Sequence, residues 1–179
     1  GVEVFRGDLA NQDIVMQAAQ GCDRIYHVAA KAGVWGSYED FYQPNVVGTK
    51  NILSACRQHG ITKLIYTSTP SVIHAGGDVE GIDESEPYPE HFETHYPATK
   101  AMAEKMVLEA NGPELQTVAL RPHLIWGPDD NHLVPRIVDR GQRGKLKLVG
   151  GGLKLIDSVY IDNAADAHIL AGDKLGPDA

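Results

Sequence analysis

Short apolar runs alternate along this chain with stretches in which apolar residues recur every three or four positions. The runs at 2–5, 24–28, 63–67 and 117–120 have strand length and are rich in Val, Ile, Tyr and Thr, which predicts strands. Between them the longer spacing predicts helices over 12–20, 38–59 and 97–110. The second helix is entered through a polar loop and closed by Gly60; the third is stopped by Asn111-Gly112-Pro113. Strands alternating with helices of about ten residues argue for a parallel sheet covered by helices, an α/β fold. In such sheets the carboxyl ends of the strands share one edge, and ligands bind along it.

After Arg121-Pro122 the pattern changes. Residues 133–143 and 163–174 predict helices, 147–149 and 155–161 predict short strands, and Gly150-Gly151-Gly152 predicts the turn between them. This tail is too small for a complete second domain, and neither a repeat nor a low-complexity segment occurs.

Composition narrows the partners. The 179 residues are 42% hydrophobic and 22% charged, which suits one globular domain with a real core. Sixteen Lys and Arg face 24 Asp and Glu, a formal charge of −8, so the basic footprint of a nucleic-acid binder is missing. No apolar run approaches the roughly 20 residues of a membrane-spanning helix. Cys22 and Cys56 are too few for a disulfide framework, and with no signal peptide at Gly1 the expected location is cytoplasmic.

The most informative stretch is Tyr96-Pro97-Ala98-Thr99-Lys100. Pro97 is tolerated in a helix's first turn, which puts Tyr96 and Lys100 one turn apart on one face. A phenol ordinarily titrates near 10; an adjacent ammonium favours the phenolate, so the pair is expected to move a proton at a substrate hydroxyl. Tyr66-Thr67-Ser68-Thr69-Pro70 follows a predicted strand and brings the Ser68 and Thr69 hydroxyls to the sheet edge, either to hold a substrate oxygen or simply to form a Ser/Thr turn. Asn45 is either a water-binding relay towards the lysine or a surface helix residue. The small residues of His27-Val28-Ala29-Ala30 allow close approach by a flat ligand or only tight packing. Asp8 is either an acceptor for an adenine amine or a helix cap. Arg121 to Pro128 reads as a proline-stiffened loop, a wall for a ring or a rigid crossover.

In order, the chain carries Gly7-Asp8-Leu9, His27-Val28-Ala29-Ala30, Asn45-x-x-Gly48-Thr49, Tyr66-Thr67-Ser68-Thr69, Tyr96-x-x-x-Lys100, Arg121-Pro122 and Val159-Tyr160-Ile161-Asp162-Asn163. This order resembles the extended short-chain dehydrogenases/reductases of the NAD-dependent epimerase/dehydratase superfamily. Lys31-Ala32-Gly33-Val34-Trp35-Gly36, Leu120-Arg121-Pro122-His123 and Asp162-Asn163-Ala164-Ala165-Asp166-Ala167-His168 point to their 3β-hydroxysteroid dehydrogenase-like branch. The resemblance implies a Rossmann-like doubly wound parallel sheet. Residues 1–128 would form part of an NAD(P)-binding domain, and 129–179 part of a substrate region interleaved with it. It implies Tyr96 as catalytic acid/base, Lys100 as the residue that lowers its pKa and holds the nicotinamide ribose, Thr69 as the ligand of the reacting oxygen with Ser68 beside it, and Asn45 as the end of the proton relay. NAD or NADP would meet Asp8 and Leu9 near the adenine, Ala29, Ala30, Lys31 and Thr67 along its length, and Pro122, His123, Leu124 and Ile125 near the nicotinamide. The implied substrate is a hydrophobic secondary alcohol or ketone, steroid-like or a 2-alkyl-3-oxo acid. A homodimer through the helices at 38–59 and 97–110 is also implied.

One element of that family is not found in this sequence, the glycine-rich turn that cradles the pyrophosphate; Gly33-x-x-Gly36 and Gly141-x-x-Gly144 lack a third glycine in step. The expectation is therefore a chain cut at both ends, whose isolated segment binds cofactor weakly and is inactive. A nucleotide-sugar epimerase of the same fold is the first alternative, with Arg136, Arg140 and Arg143 at helical spacing to meet a diphosphate or merely to form a solvated face. A non-catalytic nucleotide-binding module is the second. His91-x-x-x-His95 lacks the glutamate of a zinc protease motif, and no G-x-S-x-G elbow occurs, so neither a metal site nor a serine hydrolase is expected.

Overall fold

The computed structural model describes residues 1–74, 76–130 and 133–176. At its centre lie three parallel strands in the order β1-β2-β3: β1 (Arg24–His27), β2 (Lys63–Thr67) and β3 (Gln116–Leu120). The register sets His27 beside Tyr66, and Thr67 beside Leu120. The chain therefore leaves all three strands along one edge, next to Ala29, Ser68 and Arg121. Every interior residue of β2 is buried, as a strand covered on both faces requires.

One face of the sheet carries α1 (Gln12–Ala19), α3 (Gly48–His59) and α4 (His95–Glu109), packed around Leu64, Tyr66, Ile52, Leu53 and Val107. The other face carries α6 (Ile161–Lys174). Its Gly172 sits where a Cβ would run into the Tyr26 hydroxyl and lie 3.2 Å from Ile65, so a side chain there would have to push the Tyr26 ring aside. Lys63 Nζ donates to the Gly172 carbonyl (3.0 Å), Arg24 pairs with Asp173 (2.8 Å), and Thr67 shares a hydrogen bond with His168 (2.7 Å). Thus α6 runs along the sheet from its carboxyl edge to its amino edge. The doubly wound α/β expectation holds.

Local signals account for most helix ends. Asn11 caps α1 through the amides of Asp13 and Ile14. Ser37 and Asp40 form a reciprocal capping box at α2 (Tyr38–Tyr42). Gly60, at φ 66°, closes α3 in the left-handed region.

Four sequence expectations need correction. Residues 2–5 form no strand; they are exposed and have no neighbouring strand to complete their hydrogen bonds. The helix expected over 38–59 is three pieces, because Pro44 has no N–H to continue an α-helical ladder. A π-helical turn, Gln43–Val47, takes up the difference, closed by the Gly48 amide on the Gln43 carbonyl. Residues 147–149 form no strand, since Gly150 and Gly151 take left-handed angles and turn the chain away from any partner. The run at 155–161 shortens to β5 (Ser158–Tyr160), and α6 starts at once. One strand was not expected at all: β4 (Leu124–Trp126), read as loop, pairs in parallel with β5 in a second small sheet. After β4 in the chain comes α5 (Leu133–Gln142), which buries no residue.

Candidate active site

The carboxyl edge of β2 and the first turns of α4 bring the predicted residues together. Helix α4 starts two residues earlier than the sequence predicts, yet Pro97 stays in its first turn, where an N–H has no intrahelical partner. Tyr96, Lys100 and Glu104 follow at four-residue spacing, one above another on the face turned to the sheet.

Tyr96 lies beside Thr69, and burial raises its phenol above the ordinary range while the Thr69 hydroxyl pulls the other way. Thr69 is buried and caps the short 3₁₀ turn Pro70–Ile73, accepting from the Ser71 amide (3.3 Å). The hydroxyl shapes the turn and also lies beside the phenol. Ser68 is placed differently, beside the Glu104 carboxylate, where it helps to keep that group ionised.

Lys100 is 2% exposed; its Nζ donates to the Thr67 carbonyl (2.6 Å) and sits 4.1 Å above the Tyr66 ring. Burial lowers its pKa to about 8, against the opposing attraction of Glu104. The expectation that Lys100 lowers the pKa of Tyr96 is corrected here. The ammonium is turned onto the strand end, and desolvation of the phenol wins, so Tyr96 is held protonated.

Asn45 is no surface residue. The π turn buries it, its Oδ1 accepts from the Lys31 amide (2.8 Å), and its Nδ2 donates to the Lys31 carbonyl (3.1 Å) and to Thr99 Oγ1 (3.0 Å). Thr99 stands between Tyr96 and Lys100 and lies within reach of the His95 and Tyr96 carbonyls. The amide therefore clamps the segment after β1 to the helix that carries the phenol. Its backbone carbonyl accepts from Thr49 Oγ1 (2.6 Å), which in turn takes a hydrogen bond from His27 Nε2 (2.9 Å). Burial, with Lys100 nearby, lowers His27 to about 4, so this imidazole stays neutral at pH 7.

The residues expected to meet a cofactor form an open border. Asp8, Ala29, Ala30, Lys31, His123, Leu124 and Ile125 are exposed, while Leu9, Thr67 and Pro122 are half-buried. Asp8 directs one carboxylate oxygen to the Ala10 amide (2.8 Å), and Asn11 rather than Asp8 caps α1. Leu9 is held against α3, where Asn51 Nδ2 donates to its carbonyl (2.8 Å) and a Cβ on Gly48 would come within 2.8 Å of it. Ala29 and Ala30 leave the end of β1 uncovered for a flat group. The bond to Thr67 takes one of the three ammonium protons of Lys100. This donor set fits the ribose end of a nicotinamide nucleotide.

Three groups escaped sequence analysis. Glu104 is fully buried and holds Arg121 through two guanidinium nitrogens (2.6 and 3.2 Å), and the Tyr88 hydroxyl donates to it (2.6 Å). His168 donates from Nδ1 to the Ala164 carbonyl (2.6 Å) and so offers Nε2 to the Thr67 hydroxyl. Thr99 carries the Asn45 contact. The signal for Glu104 was available: a carboxylate four residues after Lys100, among Ala101, Ala103 and Val107. By contrast, Arg143 pairs with Asp139 (2.8 Å) on exposed α5, the solvated face that was the alternative to a diphosphate site. His95 opens α4 and packs against the rings of Tyr38 and Phe41.

The chain is 56% identical over 182 residues to the 2-alkyl-3-oxoalkanoate reductase of Shewanella oneidensis, covering 98% of this chain and 47% of that protein. It is 39% identical over 181 residues to the decarboxylating sterol-4-alpha-carboxylate 3-dehydrogenase of Mus musculus, covering 99% of this chain and 50% of the other. The chain thus spans about half the length of the curated relatives it matches. Among solved structures, the UDP-glucose 4-epimerase of Thermus thermophilus in complex with NAD superposes with a TM-score of 0.75 at 29% identity, over 98% of this chain and 61% of that one. The 3-beta hydroxysteroid dehydrogenase/isomerase family matches over residues 1–179, and the chain belongs to that family.

Proposed function

We propose that the protein containing this chain is an NAD- or NADP-dependent oxidoreductase that interconverts a secondary alcohol and a ketone on a hydrophobic substrate. Its class would be that of a 2-alkyl-3-oxo acid or a 3β-hydroxysteroid. The observation that carries the proposal is the meeting of Tyr96, Thr69 and Lys100 at the carboxyl edge of β2, beside the uncovered end of β1. When bound, the nicotinamide supplies or accepts the hydride. In the reducing direction Thr69 orients the carbonyl oxygen, and Tyr96, protonated in this environment, gives its proton to that oxygen as the alcohol forms. Lys100, seated on the Thr67 carbonyl, holds the ribose hydroxyls with its remaining ammonium protons. Asn45 keeps the cofactor-bearing segment in step with α4.

Support for the hydrophobic substrate comes from the 56% identity to a 2-alkyl-3-oxoalkanoate reductase and the 39% identity to a sterol dehydrogenase. Residues 1–128 would serve as part of the nucleotide-binding unit and 129–179 as part of a substrate region. The β4–β5 pairing, which joins strands from either side of that boundary, supports their interleaving. Exposed Met102 and Leu108 on α4 support a homodimer through α3 and α4. No helix among the described residues is long and apolar enough to cross a membrane, and Cys22 and Cys56 are both free, which supports a cytoplasmic location.

The test is turnover of a 2-alkyl-3-oxo acid, a 3β-hydroxysteroid and a UDP-hexose by the whole protein, with Tyr96→Phe as control. The variant is expected to lose activity by about 10²–10⁴-fold with cofactor affinity retained. Turnover of the sugar alone, or a fully active Tyr96→Phe, overturns the proposal.

A further inference from the structure

Beneath the Tyr96–Lys100 pair lies a buried ionic cluster that the proposed chemistry does not use. Glu104 is fully buried on α4. Arg121, at the exit of β3, reaches it with Nη2 (2.6 Å) and Nε (3.2 Å to both carboxylate oxygens). Tyr88 donates to it from the loop that precedes α4, and Lys105 covers the Tyr88 ring at 4.5 Å. From β2, Ser68 and the Tyr66 phenol also face the carboxylate. Three segments of chain therefore converge on one anion, and that anion stands one helical turn from Lys100.

A buried ion pair is usually no better for stability than well-packed apolar residues, so stability alone does not explain a carboxylate here. Lys100 does. Its ammonium is buried above the Tyr66 ring; burial disfavours its charge, while the ring face and the Thr67 carbonyl favour it. Glu104, one helical turn away on the same face of α4, is the carboxylate whose charge attracts it.

Resting on the oxidoreductase reading above, we propose that Glu104 is a positioning residue for Lys100. Locked by Arg121 and Tyr88, its carboxylate keeps the buried amine charged and seated on the Thr67 carbonyl, ready for the ribose. The role is electrostatic and acts through Lys100; Glu104 itself touches no substrate.

The amine can be followed without turnover by ¹³Cε-lysine titration of the whole protein free of cofactor, with the Lys100 signal identified by its loss in Lys100→Met. Wild-type Lys100 should titrate near 8. In Glu104→Gln the midpoint should fall by about one unit, a tenfold loss in the ammonium-to-amine ratio, and Glu104→Asp should restore most of it. The alkaline limb of the turnover profile should move by the same amount, a shift that a merely structural role would not produce. Coupling between two titrating groups is mutual. If Glu104→Gln does not fold, ¹³Cδ-glutamate titration of Lys100→Met should therefore show the Glu104 midpoint raised. An unmoved Lys100 midpoint in folded Glu104→Gln, or an unmoved Glu104 midpoint in Lys100→Met, overturns the proposal. An inactive protein with the expected midpoints would keep this coupling and reject the oxidoreductase; an active one without them would do the reverse.

Discussion

Helices α4 and α5 contrast in what they bury. In α5, Val134, Ile137 and Val138 line one apolar stripe, yet the helix buries nothing, and the tail beyond it leaves Leu148, Leu153 and Leu155 at 80–99% exposure. In α4 no such stripe exists, yet Thr99, Lys100 and Glu104 are buried with Ala101, Ala103 and Val107. An apolar stripe shows that a helix is built to be covered. A buried lysine and glutamate show that other segments have already come to meet them, which is what a site demands. The first kind of helix is described by its own sequence; the second is described by its neighbours.

The largest effect that tests this contrast is a matched pair of truncations. Leu64→Ala in β2 should cost about 2–5 kcal/mol in denaturant unfolding, because a fully buried side chain leaves a cavity. Leu155→Ala, at an exposed position, should stay within about 0.5 kcal/mol. Equal losses at both positions would mean that the tail is as firmly packed as the sheet.

Acid comes next. His27 titrates at about 4 in the fold against an ordinary value of 6.5, so between those limits the unfolded chain binds more protons than the folded one. The stability owed to the neutral imidazole is complete above 6.5 and is lost as the pH falls towards 4, up to about 3 kcal/mol. His27→Gln should remove that part of the slope; parallel pH curves for the two proteins would show that the imidazole is already solvated. The smallest effect is expected on the solvated helix. Asp139→Asn breaks the α5 pair with Arg143 and should cost no more than about 0.5 kcal/mol, fading with added salt. A loss several times larger would place α5 in a buried setting.

Sequence alone reached the elements whose causes are local. The bounds of β2 are legible because its successive apolar residues Leu64, Ile65 and Tyr66 are buried from both faces, and the end of α3 because Gly60 acts within a turn of itself. The strand at 2–5 failed because a strand is a relation between two segments, and its composition says nothing of a neighbour. β4 was hidden for the same reason: three residues between prolines become a strand only because β5 lies beside them. The π turn was legible in principle from Pro44, yet the surrounding helical spacing masked it. Within the site, Tyr96, Thr69 and Asn45 were found through spacing and resemblance. The orientation of Lys100 was not, because spacing places a side chain on a face without saying which partner it prefers. The ionic cluster was missed because its three members come from a loop, a helix and a strand exit.

The hydrogen bond from Thr67 to His168 joins residues 101 positions apart. Closing so long a stretch of chain carries an entropic cost that grows with its length, and topologies rich in distant contacts fold slowly. During synthesis, β2 and α4 leave the ribosome well before α6 exists. The strand end that receives Lys100 must therefore wait, with its hydroxyl turned to water, until residue 168 arrives.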